Sequence, residues 1–265
     1  ILEHDGITFY FRGPGGEMVI TDAPEAAGPR EPLPFKPAVA FVEQKVATEV
    51  VYTRNAVPGR YSMVDHDVTR PADFTLQASE AEPLANIEAE IERTHYVPGS
   101  FLRADGSAAQ HDEGRGSTIA RNRLAAKRLE AQRIAIKTTH YGIRPGETLH
   151  LLDHPHAYLS EEHKLLITKS FLYLDHDDDW NHQVELVRAD RPFRPPLRAQ
   201  MPKADGLEHA TVVGPPGEEI HTDDRGRLKV HFHWDREGRR DGQDTCWVQS
   251  VQAWSGPGFG GVHLP

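Results

Sequence analysis

Cysteine is nearly absent from this sequence. Cys246 stands alone, so no disulfide can close within the chain, and a zinc site of several thiolates is excluded. Long apolar runs are missing as well; none approaches the ~18 residues of a membrane-crossing helix. Basic residues are outnumbered, 30 Lys and Arg against 40 Asp and Glu, which leaves a net charge of −10. Such a chain lacks the general attraction to nucleic-acid phosphates or anionic membranes, although a local basic patch is still allowed. Chemical motifs are also missing: there is no Gly-x-Ser-x-Gly elbow, no phosphate loop and no dinucleotide fingerprint. The opening stretch ILEHDGITFYF has neither a charged n-region nor a cleavage site, so it does not read as a signal peptide.

What is plentiful is turn chemistry. Twenty-two Gly and 20 Pro in 265 residues, with a mean hydropathy of −0.58, point to a mainly β protein with many turns. The length allows one large domain or two smaller ones.

The segment Gly206 to Pro265 carries the clearest pattern. Leu228, Val230, Phe232 and Trp234 alternate with Arg227, Lys229, His231 and His233, the period-2 signature of a strand with one buried face. Trp234 is thereby expected in the core, and the histidines on a polar outer face. Thr245 to Trp254 reads as a second strand and Glu218 to Thr222 as a shorter one. Short strands between turns predict a small all-β barrel. The chain begins and ends inside stretches of strand character, so an internal segment of a longer protein is expected, with the barrel cut before its last strand.

Upstream, Ile7–Phe11 and Met18–Ile20 flank Gly13-Pro14-Gly15-Gly16 and predict a hairpin. The tract 23–37 holds five prolines and reads as a loop or extended linker that does not pack. Strands are expected in 41–54, 61–68, 74–81, 134–136, 148–152 and 164–174, whereas 87–96 is ambiguous between helix and strand. Ser117 to Arg133 is the best helix, capped by Ser117 or Thr118. The six basic residues from Arg115 to Arg133 read as a solvated face. Arg191 to Pro196, with Met201-Pro202-Lys203, forms a linker over 191–205, and the domain boundary is placed near Ala199.

Some constellations invite a chemical reading. His231 and His233, with Asp235 on the same parity, have a spacing that can chelate zinc, but no third ligand lies nearby. His154 and His156 make a loop pair. Asp175-His176-Asp177-Asp178-Asp179 packs four carboxylates into five residues, yet lacks the central Gly and the distal Glu of a calcium loop. Cys246 with His233 or His263 has the types of a thiol nucleophile and base, although a lone small residue in a strand is normally a buried hydrophobe. Arg225, Arg227, Lys229, Arg236, Arg239 and Arg240, with Trp234 and Trp247, form a locally basic and aromatic patch; the net charge weighs against nucleic acid as its partner. No residue is therefore assigned as catalytic, cofactor-binding or metal-ligating.

The tracts IHTDDRGRLKVHFHWDREG and CWVQSVQAWSGPGFGGVHLP resemble the oligomer-binding-type (OB) barrel of VgrG, the type VI secretion spike family, whose architecture recurs in contractile phage hub and spike proteins. HYVPGSF, IRPGETLHLLDHP, LLITKSFLYLDHD and FRPP, in that order upstream, resemble its hub. The resemblance implies β-barrel-like hub subdomains with one short helix over 1–199, then an OB barrel over 200–265. It further implies a non-enzymatic homotrimer with pseudo-sixfold symmetry that seats on a tube of Hcp-type rings. A needle beyond the barrel would carry a PAAR-type tip and effectors. Such a protein is assembled in the bacterial cytoplasm and translocated outward or into a target cell. Two other readings stay open: a phage-type spike with cell-wall hydrolase or metal-dependent hydrolase activity, and a nucleic-acid-binding barrel.

Overall fold

The computed structural model describes residues 2–37, 44–66, 75–104, 109–174, 180–199, 205–223, 226–236, 238, 240, 242–243, 245–250, 254–256 and 259–260. The chain divides into two compact units, Ile1–Gln200 and Met201–Pro265. Both are mainly β.

In the first unit, β1 (Thr8–Arg12) and β2 (Glu17–Thr21) form the hairpin that the glycine turn predicts. Strand β3 (Leu33–Pro34) follows, then β4 (Ala47–Arg54), β5 (Arg60–His66), β6 (Thr75–Ala81), β7 (Glu92–Tyr96), β8 (Leu102–Ala104) and β9 (Ala109–His111). The one α-helix among the described residues, α1, spans Glu113–Arg128. After it come β10 (Gln132–Thr138), β11 (Thr148–Leu149), β12 (Leu151–Leu152), β13 (Leu165–Leu174) and β14 (Trp180–Arg188).

Five strands make an antiparallel sheet in the order β11-β13-β14-β10-β4. Its buried face follows from period-2 patterning: Ile134 and Ile136 of β10 and Val184 and Leu186 of β14 point inward onto Leu149, Leu151 and Leu165. A bulge at Thr168 adjusts the parity of β13. Ile167 pairs with Leu186 and Ser170 with Val184, so two residues three apart share the core face. The second layer is a three-stranded sheet, β6-β5-β7, with α1 packed across it. Tyr61, Met63, Leu76, Ala78 and Phe101 meet Ile119, Ala120 and Leu124 there.

Several expectations are corrected. The helix starts at Glu113, capped by Asp112, whose carboxylate accepts from the Arg115 amide at 3.0 Å; Ser117 and Thr118 lie inside it. Gly114 and Gly116 obscured the start, because glycine disfavours helix. The basic face is only partly solvated: Arg128 is 8% exposed and Arg123 half-buried. The segment 87–96 is both things in turn, a 3-10 turn over Ile87–Glu90 and then β7. The proline-rich tract packs after all. Leu33 is buried in the main core, β3 pairs parallel with β12, and the amides of Arg30, Leu33 and Phe35 donate to Thr148, His150 and Leu152. Pro32 and Pro34, which have no N–H, take the alternate positions where no donor is needed, which suits a short edge pairing. The tract 191–199 is likewise tied down: Arg191 pairs with Glu82, Arg194 donates to Asn122, and Glu3 accepts from the amides of Arg198 and Ala199.

A buried histidine sits beside the main core. His182 Nδ1 donates to the His140 carbonyl at 2.9 Å, and its Nε2 lies 2.7 Å from the Ser170 hydroxyl, which also reaches the Ile143 carbonyl at 3.2 Å. Burial holds its pKa below the ordinary 6.5, and the His140 carbonyl offsets this only in part. His140 and His154 are lowered too, burial being the leading cause in both. A native state that resists protonation binds fewer protons than the unfolded chain. Stability is therefore full above about pH 6.5 and falls as the pH drops toward the lowered native values. The urea midpoint is expected to fall between about pH 7.5 and about pH 5.5, with a shallower fall in His182→Gln. A midpoint that does not move over that interval contradicts the assignment.

In the second unit, β15 (Ala210–Val213), β16 (Leu228–Phe232) and β17 (Trp247–Val248) form an antiparallel sheet, and β18 (Trp254–Gly256) pairs with β19 (Phe259–Gly260). The predicted strand Thr245–Trp254 is thus reduced to β17 and the start of β18; residues 251–253 lie outside the described residues. Glu218–Thr222 is not a strand, since only Thr222 forms a bridge, to Leu228.

Candidate interaction surfaces

The most unusual surface of the first unit is one face of the β1–β2 hairpin. Register pairs Phe9 with Ile20 and Phe11 with Met18, so all four side chains project from one side of the ribbon. Each is 48–57% exposed. The other face is anchored: Tyr10 lies against Gly146, where φ is +85° and an added Cβ would fall 2.4 Å from the ring. A two-stranded ribbon with its apolar face in water is the kind of surface that other proteins cover.

A second apolar surface lies at the outer end of β13–β14. These strands run past the core that their first halves enclose. Leu172 pairs with His182 and Leu174 with Trp180, so the core face continues outward as an exposed platform, with Tyr141 beside Trp180 at 6.4 Å between ring centroids. The connection that closes this ribbon, the acidic run 175–179, lies outside the described residues. On the opposite face of the sheet a groove of about 730 Å³ runs between Lys127, Arg133, Glu185, Phe193 and Leu197.

Sequence reasoning did not find β14, the strand that carries Trp180 and His182. Its signal was present: His182, Val184 and Leu186 alternate with Asn181, Gln183 and Glu185. The polar half of the pattern and the preceding aspartates masked it.

The candidate chemical residues are dispersed or differently placed. His231 is buried, not on an outer face, and packs at the turn in which Asp235 accepts from the Gly238 amide at 3.0 Å. Trp234 is 65% exposed and stacks on Phe232 at 5.0 Å; β16 ends at Phe232, so Trp234 lies beyond the sheet that was to bury it. His233 is exposed, with Thr211 at 3.5 Å. Cys246 is exposed where a buried hydrophobe was expected, one residue ahead of β17. His231, Asp235 and Cys246 do line one small cavity of about 200 Å³, with Val230 and Phe232 as its apolar wall. Among the described residues no three His, Cys, Asp or Glu side chains come together to hold a metal ion. His154 and His156 diverge, His154 packing on Phe35 and His156 on Tyr52. Of the basic patch, Lys229 lies over Trp247 at 5.1 Å and Arg227 is paired with Asp223; Arg225 and Arg239 lie outside the described residues, as does His263.

The fold is shared with a tail protein of known structure. The structure is similar to the tail protein of Neisseria meningitidis MC58, with a TM-score of 0.51 and 16% identity, over 74% of this chain and 54% of that one. The chain belongs to the phage tail baseplate hub (GPD) family, whose profile matches residues 1–177. It is a relative of the VgrG type VI spike proteins. It is 27% identical to the spike protein VgrG1c of Pseudomonas aeruginosa over its whole length and 25% identical to VgrG1a of the same organism. VgrG5 is 47% identical over 73 residues. The chain spans 37% of VgrG1c and 42% of VgrG1a. No helix among the described residues is long and apolar enough to cross a membrane.

Proposed function

We propose that this chain is the hub and spike-base segment of a type VI secretion spike, a structural part and not an enzyme. The observation that carries the reading is the hub-family match over 1–177 combined with similarity to VgrG relatives across the whole chain. In this reading three copies assemble around an axis and seat on a tube of Hcp-type rings. The second unit completes an OB barrel that leads into a needle, and the needle bears a PAAR-type tip and effectors. The exposed face of Phe9, Phe11, Met18 and Ile20 supports subunit packing, because association removes apolar surface from water.

Sedimentation equilibrium tests it. The mass is expected to rise from 29.7 kDa toward three copies as concentration increases. Phe11→Lys with Ile20→Lys is expected to hold the chain at one copy while leaving its melting temperature unchanged, since both side chains already face solvent. A mass fixed at one copy throughout, or an assembly that stops at two, overturns the trimer.

A further inference from the structure

Strand β7 is an edge beside cations that pair with no anion among the described residues. It pairs in parallel with β5 on one side, and among the described residues nothing pairs with it on the other. The Arg60 amide donates to the Ile91 carbonyl at 3.2 Å and the Val97 amide to Val64 at 3.0 Å. In a parallel pair alternate residues bond inward, so Arg93 and His95 use their backbone groups on β5. The N–H and C=O groups of Glu92, Thr94 and Tyr96 then point outward.

The side chains on the helix side of this edge are basic. Register sets Arg93 beside Tyr61 and His95 beside Met63, on the face that α1 covers. Arg93 Nε donates to His95 Nε2 at 3.0 Å, and His95 Nδ1 meets the Tyr61 hydroxyl at 2.8 Å. Burial, then Arg93 and Arg123, hold His95 below its ordinary range, as expected of a neutral ring that accepts from an arginine. Arg123, on α1, is half-buried and has neither an ion pair nor a hydrogen bond among the described residues. Burial lowers its pKa; Tyr61 and Glu3 oppose this, but the Glu3 carboxylate is occupied by the amides of Arg198 and Ala199. Glu92 points to the other side of the sheet and bonds Ser62. In a chain with ten more acids than bases, two arginines at this edge have no carboxylate partner among the described residues.

We infer that β7 receives an extended acidic segment of a partner protein as an added strand. Its backbone pairs with Glu92, Thr94 and Tyr96, and its carboxylates, at alternate positions, face Arg93 and Arg123. Strand addition supplies main-chain hydrogen bonds, and the charge-assisted pairs supply selection for acidic side chains. This inference does not depend on the spike reading.

The test is a titration of the 265-residue chain with a fluorescent peptide of about eight residues alternating Glu with Thr, enough to cover β7. Saturable binding that weakens with salt is expected, and the same peptide with Lys for Glu is expected not to bind. Arg93→Gln and Arg123→Gln should each weaken binding by about tenfold. Thr94→Pro should abolish it with no loss of melting temperature, because it removes only an outward N–H from an edge strand. Equal binding of the Lys peptide, no saturable binding of the Glu peptide, or binding that survives Thr94→Pro overturns the inference. Survival in Thr94→Pro with loss in Arg123→Gln would show an anion site without strand addition.

Discussion

Arg128→Met is expected to cost the first unit about 3–5 kcal/mol, the usual loss when one partner of a buried ion pair is removed. Arg128 lies near the end of α1. Its Nε meets Glu82 at 2.5 Å, its Nη2 meets Glu88 at 3.1 Å, and its Nη1 reaches the Val57 carbonyl at 3.3 Å. Glu82 also pairs with Arg191, and Glu88 accepts from the Val57 amide at 2.9 Å. One guanidinium thus joins the helix to the 3-10 turn, the end of β6 and the segment after β14. Methionine keeps most of the buried volume but leaves the Glu88 carboxylate, whose side chain is 12% exposed, without its cation. The melting temperature should fall by on the order of 10 °C, with the charge-preserving Arg128→Lys falling less.

The pH dependence of that loss has a sign. Burial pushes the Glu88 pKa up, but the Val57 amide and Arg128 outweigh it and leave the group below the ordinary 4.5. A depressed carboxyl contributes stability above about pH 4.5, and that contribution disappears as the pH falls through the lowered native value. The difference between Arg128→Met and the unmodified chain is expected to shrink on acidification below pH 4.5. A difference that stays constant would mean that lost packing, not the unpaired carboxylate, sets the cost.

The second large effect lies at Phe101 and Gly116. Phe101 is fully buried between β5, β6 and α1. Its ring occupies the space that a side chain at Gly116 would need, with the ideal Cβ position 2.0 Å from a ring carbon. Phe101→Ala removes the ring and should cost about 3–5 kcal/mol. Gly116→Ala gains helix propensity but drives a methyl into the ring, and overpacking of this kind should cost about 1–3 kcal/mol net. The double variant is the decisive measurement. With the ring gone the methyl fits, so Gly116→Ala in the Phe101→Ala background should be neutral or stabilising. Equal penalties for Gly116→Ala in both backgrounds would refute the steric account.

These sites show what kind of information a sequence carries. The β1–β2 hairpin was legible in its parts, because strand residues and a glycine turn act over a few positions. So were β5, β6, β10 and β13, for the same local reason. The hub resemblance was legible because its tracts keep their order along the chain. The helix was placed but begun late, since the value of Gly116 depends on Phe101, fifteen positions away and packed from another layer. Strand β14 was missed because its polar residues face solvent only once β10 and β13 flank it.

The candidate sites divide in the same way. Alternation in β16 made Trp234 and His231 look core-bound and exposed, respectively, and the structure reverses both, because β16 ends before Trp234 and the Asp235–Gly238 turn covers His231. What the sequence determined by itself was the mainly β character, the helix after Asp112, the hairpin and kinship with tail hubs, all of which rest on local pattern or on the order of motifs. Only the tertiary structure decided which apolar faces stay in water, which arginines find a carboxylate and which edge stays open. Burial and pairing are set by residues far apart in the chain, and no local pattern encodes which of them will meet.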